Sequence, residues 1–326
     1  NNIQHSLILK TTHLMFNFIK QHRPKISVVV VFYNMRREAV RTLHTLTCNY
    51  QIGVNVEDYE VLIMDSNSTE PLDPEWVESL QANFSYHYVE SSWPTPCRAM
   101  NRGIELAKGD HVVCMIDGAR MLSPGVLQKF KLANKLFEHA CVKTIAMHLG
   151  PKLQNLSILD GYDQLVEDKL LKSVNWKSNG YELFEISSLA ESSFRGFTNP
   201  ISESNCFCVN KRVLSEIGGY NEDFRSIGGG LVNHDTLNKV LQYEGMMSIN
   251  LMGEASFHQF HGGVATNVSP DNHPREIFLN EYLTIRGEEF CPNNAAPFIF
   301  GDCPEVARQY ICLLYTSDAA DDWCCV

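Results

Sequence analysis

Asp117 stands at the end of an apolar run, HVVCMI at residues 111–116, and Gly118, Ala119 and Arg120 follow it at once. Ligands of open α/β sheets gather at the carboxyl ends of the strands, so a carboxylate there is well placed for chemistry. A second carboxylate two residues on would make a cation clamp, but Ala119 holds that position. Asp65 closes a similar run, YEVLIM at residues 59–64. Asp235 follows Gly228, Gly229 and Gly230 at the start of a helical stretch, and His258 and His261 flank Gln259 and Phe260 just past a late strand. Arg98 lies near a helix start, behind Trp93-Pro94-Thr95-Pro96, and a guanidinium can fork onto a diphosphate.

Each of these residues also has a plainer reading. Asp65 could bond its own backbone in the turn before Asn67. Asp235 could be a first-turn acid that favours the helix dipole. A histidine in a loop is commonly a polar surface residue, and the i, i+3 spacing of His258 and His261 outside a helix does not force a shared site. Arg102 suits a solvated helix face. Trp176, Tyr181, Phe184 and Phe194 suit a sugar-stacking surface and a core equally well.

Alternating elements must position these residues. ISVVVVF at residues 26–32 is a continuous β-branched run, as expected of a strand buried on both faces of a parallel sheet. A helix over residues 36–48 follows, with Val40, Leu43 and Leu46 at helical spacing. Next come a strand at 59–64, a helix at 76–82, a strand at 85–89, a helix at 97–108 capped by Gly109, and the strand at 111–116. Strict alternation of this kind implies crossover connections and a parallel sheet. Ser123-Pro124 reads as a helix N-cap with Pro at the first position, leading to about residue 139. Further elements are a strand at 142–148, an amphipathic helix at 162–176, a strand at 203–210, helices at 213–217 and 235–243, and a strand at 248–257. After Pro270 the periodicity fades, and a loosely attached extension is expected.

The bulk numbers narrow the class. The 326 residues are 44% hydrophobic and 20% charged, which suits one large α/β domain with an extension. A net charge of −11 argues against nucleic acid as a partner. No apolar run has the length of a membrane span, and no secretory leader pattern stands at the start. Of the eleven cysteines, the eight before residue 312 show no CxxC pair and read as reduced thiols acting as small core residues. CLLYTSDAADDWCCV at residues 312–326 resembles translated adapter read-through and is set aside from fold reasoning, and residues 1–24 are read as a segment of doubtful authenticity. The turn after the first strand, Tyr33-Asn34-Met35-Arg36, has no glycine, which excludes a dinucleotide-binding fingerprint, and no phosphate-cradling Walker loop occurs.

Five segments in order carry a family resemblance: VVVVFYNMRREAVRTLHTL, VLIMDSNSTEP, NRGIELAKGDHVVCMIDGA, SNCFCVNKRVLSEIGGYNEDF and GGGLVNHDTLNKVLQYEG. Together they resemble the family 2 glycosyltransferases of GT-A fold over roughly residues 25–261. The resemblance implies an α/β fold with a Rossmann-like, mostly parallel central sheet flanked by helices, followed by a C-terminal extension at 266–311. It implies a nucleotide pocket lined by Tyr33 and Asn34, with Asp65 and Ser66 at the place of the family's two acidic residues; Ser66 departs from the second. Arg98, Asn101 and Arg102 occupy the segment that faces the nucleotide in the family. Asp117 matches the first carboxylate of the DxD motif, which holds a divalent cation, Mn²⁺ or Mg²⁺, against the donor diphosphate.

With Ala119 in place of the later Asp, three outcomes stand open. Asp117 could hold the metal with His258 or His261. Arg120 could stabilise the leaving diphosphate without metal. Or the activity could be lost. The family's Glu-Asp pair after a glycine-rich loop maps onto His234-Asp235, which makes Asp235 the candidate general base, with Glu203 in reserve. The resemblance therefore implies an inverting transferase that moves a sugar from a UDP- or GDP-sugar to a hydroxyl on a saccharide or lipid-linked acceptor. Its expected context is cell-surface polysaccharide or lipopolysaccharide synthesis, in the cytoplasm or peripheral to the inner membrane. The rivals are a non-catalytic GT-A-like domain that binds a nucleotide sugar or a partner, and a nucleotidyltransferase.

Overall fold

A computed structural model describes residues 24–311, so residues 1–23 and 312–326, with the expectations placed on them, lie outside it. The strands β1 (Ile26–Phe32), β2 (Tyr59–Ser66) and β3 (Phe84–Val89) lie parallel, and β4 (His111–Met115) joins the other side of β1, also parallel. Every residue of β1 is buried, as its unbroken β-branched run requires. The crossovers are α1 (Arg36–Thr45), α2 (Pro74–Leu80) and α3 (Cys97–Leu106). In α1 the buried face is Glu38, Ala39, Thr42, Leu43 and Thr45, and Val40, expected inside, is exposed. The polar residues Glu38, Thr42 and Thr45, at i, i+4 and i+7, form a buried stripe that sequence pattern alone reads as surface.

Beyond β4 the sheet departs from strict alternation. The short β5 (Arg120–Leu122) pairs antiparallel with the long β9 (Met247–His258). β6 (Ala140–Leu149) lies parallel to β9, while β8 (Phe207–Asn210) runs antiparallel to both β4 and β6 and joins the two halves. With β10 (Phe298–Phe300) at one edge, the order across the sheet is β10-β9-β6-β8-β4-β1-β2-β3, so the sheet is mixed. The remaining elements are α4 (Val126–Ala133), the short α5 (Gln154–Ser157), α6 (Gln164–Lys172), β7 (Ser187–Leu189), α7 (Lys211–Glu216), α8 (Val232–Leu241) and α9 (Arg275–Arg286).

Two local expectations fail for identifiable reasons. Ser123 does not cap α4, whose N-cap is Gly125. Its hydroxyl instead donates to Glu254 at 2.5 Å and accepts from Ala255 N, which ties the helix start to β9. Gly109 does not cap α3, which ends at Leu106. It sits where a Cβ would fall 2.7 Å from Ser27 N, so close approach to β1 demands glycine there.

The chain after Pro270 is not a loose appendage. Phe278, Tyr282 and Phe290 are buried in the core on one face of the sheet, β10 extends the sheet parallel to β9, and Ala307 is buried in a third cluster beneath β6 and β9. Phe278 and Tyr282 stand one turn apart on α9, a signal too short to read as amphipathic by itself.

Candidate functional site

Sheet register brings the chemistry together. In the β5–β9 ladder Arg120 pairs with His258, and in the β6–β9 ladder His148 pairs with His258. Asp117 lies three residues before Arg120, so the end of β4 and the end of β9 meet although about 140 residues separate them. The Nε2 of His258 lies 3.1 Å from Asp117 Oδ2 and 3.2 Å from His261 Nε2, and His261 Nε2 lies 3.8 Å from Asp117 Oδ1. One oxygen of Asp117 also accepts from Ala119 N at 3.0 Å.

The donor set fits a divalent cation. His258 Nδ1 lies 2.7 Å from the Gln154 amide oxygen, which can only accept, so this nitrogen carries the proton and Nε2 offers a lone pair toward Asp117 and His261. Gln154 is itself fixed, donating to His258 O and accepting from Asn267, and Asn267 Oδ1 also receives the backbone N–H groups of His261, Gly262 and Gly263. Burial pushes His258 down to about 4 against the pull of Asp117, so its imidazole is neutral at pH 7, the form that ligates. Burial opposes the charge of Asp117 as well, yet the imidazolium forms of the two histidines and the Arg120 guanidinium outweigh it and hold the carboxyl well below its usual range. Two imidazoles and one carboxylate suit Mn²⁺ or another transition metal better than Mg²⁺, which prefers an all-oxygen shell.

Ala119 now has a physical account. It is fully buried, and its carbonyl accepts from Gln259 N at 2.8 Å, so a carboxylate at this position would have to enter the packed interior. Gly118 is equally constrained, since a Cβ there would meet the Phe32 ring at 2.4 Å. Packing thus fixes Gly118 and Ala119 in the loop that ends β4, and the side chains that stand beside Asp117 are those of His258 and His261.

Arg120 lies behind this cluster and is almost wholly buried. Asp117 Oδ2 is 3.5 Å from its Nε and Glu203 Oε1 is 3.8 Å from its Nη1, so one guanidinium joins two carboxylates. The Nε has no hydrogen-bond partner. Glu203 accepts from Ser192 Oγ and Asn205 N; burial works to raise its carboxyl, but Arg120 and these donors bring it below the usual value.

Other expected residues lie elsewhere. Asp65 is fully buried and its carboxylate is occupied: Ser68 N, Leu72 N and the Tyr86 hydroxyl all donate to it. It organises the loop after β2, as the turn reading of the sequence has it, and Ser66 is buried beside it. Asn34, at φ 52°, accepts from Thr69 Oγ1 and Glu70 N, and its own N–H donates to Ser68, which joins the first two strand-end loops, while Tyr33 beside it is half exposed. Asn101 clamps the turn at Tyr220 through both backbone polar groups of that residue and also donates to Glu222. Arg98 is exposed and lines a cleft of about 170 Å³ with Ser91, Ser92, Trp93, Thr95 and Glu222.

Asp235 differs most from expectation. Its side chain is buried against α9, where Arg286 grips it with Nε at 2.7 Å and Nη2 at 2.6 Å, and Lys239 stands 3.6 Å away. In this geometry the carboxylate anchors α9 to α8 and is not a free base. The three glycines before it all have positive φ, at 74°, 92° and 55°, and Gly229 packs on Pro96, so they serve a tight internal turn. The residues that reasoning from sequence missed are Gln154, Asn267, Glu167 and Thr42. All act through contacts distant in sequence, and no local signal marks them.

The mixed sheet, with its parallel half flanked by helices and ligand-competent residues at the strand ends, has the architecture of the GT-A fold. Residues 27–139 match the family model described as Glycosyl transferase family 2. Among solved structures, S. aureus TarS aligns with a TM-score of 0.50 at 14% identity, over 79% of this chain and 40% of that one. TarS 1-349 in complex with UDP gives 0.49 at 14% identity, over 79% of this chain and 65% of that one. The mannosyltransferase PcManGT from Pyrobaculum calidifontis, in complex with GDP-Man and Mn2+, gives 0.48 at 16% identity, over 83% and 67%. The chain thus spans less than two thirds of the length of the TarS structures it resembles. No curated protein matches it by sequence.

Proposed function

We propose that the chain is an inverting glycosyltransferase that moves a sugar from a nucleotide-diphosphate donor, a UDP- or GDP-sugar, to a hydroxyl acceptor. The observation that carries this reading is the convergence of Asp117, inside the segment that matches the family model, with His258 and His261 on one point at the carboxyl ends of β4 and β9. Asp117, His258 and His261 would hold a divalent cation, Mn²⁺ by preference, which neutralises charge on the donor diphosphate. Arg120, with an unspent Nε–H beside Asp117, adds a fixed positive charge to the same place. Tyr33, Asn34, Ser66 and the Arg98 cleft border the nucleotide in this reading. Asp65 and Asn101 shape the loops around it.

In the transfer step the acceptor oxygen bonds to the anomeric carbon, the bond from that carbon to the diphosphate breaks, and the nucleoside diphosphate leaves with the electron pair. The acceptor proton passes to a carboxylate. We assign this role to Glu203 in preference to Asp235: Glu203 stands beside the Asp117 cluster with Arg120 3.8 Å away, whereas Arg286 grips both oxygens of Asp235 at 2.7 and 2.6 Å. Among the described residues no helix is long and apolar enough to cross a membrane. A place in cell-surface polysaccharide synthesis at the cytoplasmic face, with a saccharide or lipid-linked acceptor, accords with the family resemblance.

The test is turnover of a panel of nucleotide sugars with Mn²⁺ and with EDTA, using wild type, Asp117→Asn and Glu203→Gln. Release of nucleoside diphosphate that needs Mn²⁺ and is lost in Asp117→Asn supports the reading. Activity untouched by EDTA sinks the cation role and leaves Arg120 as the charge stabiliser. Release of pyrophosphate identifies a nucleotidyltransferase instead.

A further inference from the structure

The two halves of the Asp117 cluster reach it by different routes: Asp117 on the loop after β4, and the histidines at the end of β9. The backbone joins them where Gln259 N donates to Ala119 O, and one side-chain atom bridges them as well. The Thr42 hydroxyl, fully buried on α1, donates to Gly118 O at 2.6 Å and accepts from Gln259 Nε2 at 3.0 Å. Gly118 follows Asp117, and Gln259 follows His258. From this geometry we infer that Thr42 is a positioning residue that sets the distance between the carboxylate and the imidazoles, and so tunes the affinity of the site for its cation. The inference rests on the reading that Asp117, His258 and His261 form a cation site.

The surroundings explain why the hydroxyl has leverage. Gln259 is fully buried, and its amide also donates to Glu38 O while its oxygen lies 3.4 Å from Arg41 Nη1. One residue further on, Phe260 N donates to Glu167 Oε2 at 2.6 Å, and Arg37 reaches Phe260 O at 3.2 Å. The His258–His261 segment is therefore held on α1 and α6, and the Thr42 hydroxyl adds a side-chain link to the Asp117 loop beside the backbone bond from Gln259 N to Ala119 O. A buried hydroxyl that both gives and accepts a bond cannot be replaced by a methyl without leaving Gly118 O and one Gln259 proton unmatched. Outer-shell partners of metal ligands act on affinity through orientation, typically by about 10- to 100-fold.

The experiment compares Thr42→Val, which keeps the shape and deletes the hydroxyl, with Thr42→Ser, which keeps the hydroxyl. Binding of Mn²⁺ alone to the full chain is followed by electron paramagnetic resonance of the free ion, alongside transfer kinetics. Mn²⁺ affinity should fall about tenfold in Thr42→Val and return to near wild type in Thr42→Ser. The Mn²⁺ concentration for half-maximal rate should rise in parallel, while kcat at saturating Mn²⁺ changes little. If Thr42→Val does not fold, Gln259→Met breaks the same bridge from the other side and should show the same loss. Wild-type affinity in the folded bridge-breaking variant overturns the role of Thr42 and leaves the cation site standing. A wild-type protein that binds no Mn²⁺ overturns the site and the inference together.

Discussion

Asp65 and Asp117 occupy equivalent places, at or just past the carboxyl ends of β2 and β4, the two strands that flank β1. Their surroundings are opposite. Asp65 has three donors, all within 21 residues of it, and no exposed surface. Asp117 has one backbone donor of its own, and its other neighbours are the Arg120 guanidinium and two imidazole nitrogens from the far end of the sequence. Proximity to a strand end supplies a carboxylate. What meets that carboxylate decides whether it becomes a structural acceptor or a ligand.

The largest effect that separates the two is functional. Asp117→Ala should remove Mn²⁺ binding and lower transfer by roughly 10²- to 10³-fold, with a melting temperature close to wild type. Asp65→Ala should do the reverse. It leaves two backbone N–H groups and a tyrosine hydroxyl without their acceptor, a cost on the order of 3 kcal/mol by chemical denaturation. A folded, stable Asp65→Ala protein that has lost nucleotide binding would restore Asp65 as a nucleotide contact and break the comparison.

Asp235 extends the comparison to a third carboxylate, satisfied by a cation instead of by backbone. Asp235→Asn should cost about 2 kcal/mol, less than for a fully buried pair because Arg286 keeps some exposure at 23%. Arg286→Met should cost a similar amount, and the double variant less than the sum, since both delete one interaction. Glu203→Gln, not Asp235→Asn, should carry the larger loss of kcat. A native-like melt with a hundredfold loss of kcat in Asp235→Asn would return the base to that position.

How much of this was legible in the sequence follows from the range of the interactions. The runs at 26–32, 59–64 and 111–116 announce buried parallel strands because the signal is local, and the first half of the sheet forms as read. Asp117, His258 and His261 were legible as candidates from their places at strand ends. Their convergence was not, because it depends on the β5–β9 register. The antiparallel turn of β8 and the docking of α9 escaped for the same reason, each being decided by pairing with remote chain. The burial of Asp235 depends on Arg286, 51 residues later, and a glycine-rich loop before an acid looks the same whichever way the acid turns.

The smallest expected effect tests the electrostatics around Asp117. Burial pushes His258 down to about 4, from an ordinary value of 6.5, so the unfolded chain binds that proton before the folded one does. Its contribution to stability is therefore present above 6.5 and declines as the pH falls toward 4. Glu167, one side chain removed from the cluster through Phe260, behaves oppositely: burial raises it to about 7 from 4.5, so its protonation favours the folded state as the pH falls from 7 to 4.5. The two slopes offset one another in the wild type. Glu167→Gln should make acid loss of stability between pH 6.5 and 5 steeper, and His258→Gln should make it shallower, each by about 1 kcal/mol in denaturant titrations. If both variants follow the wild-type slope, these groups do not titrate as the buried geometry around Asp117 requires, and the contrast with Asp65 narrows to hydrogen bonding alone.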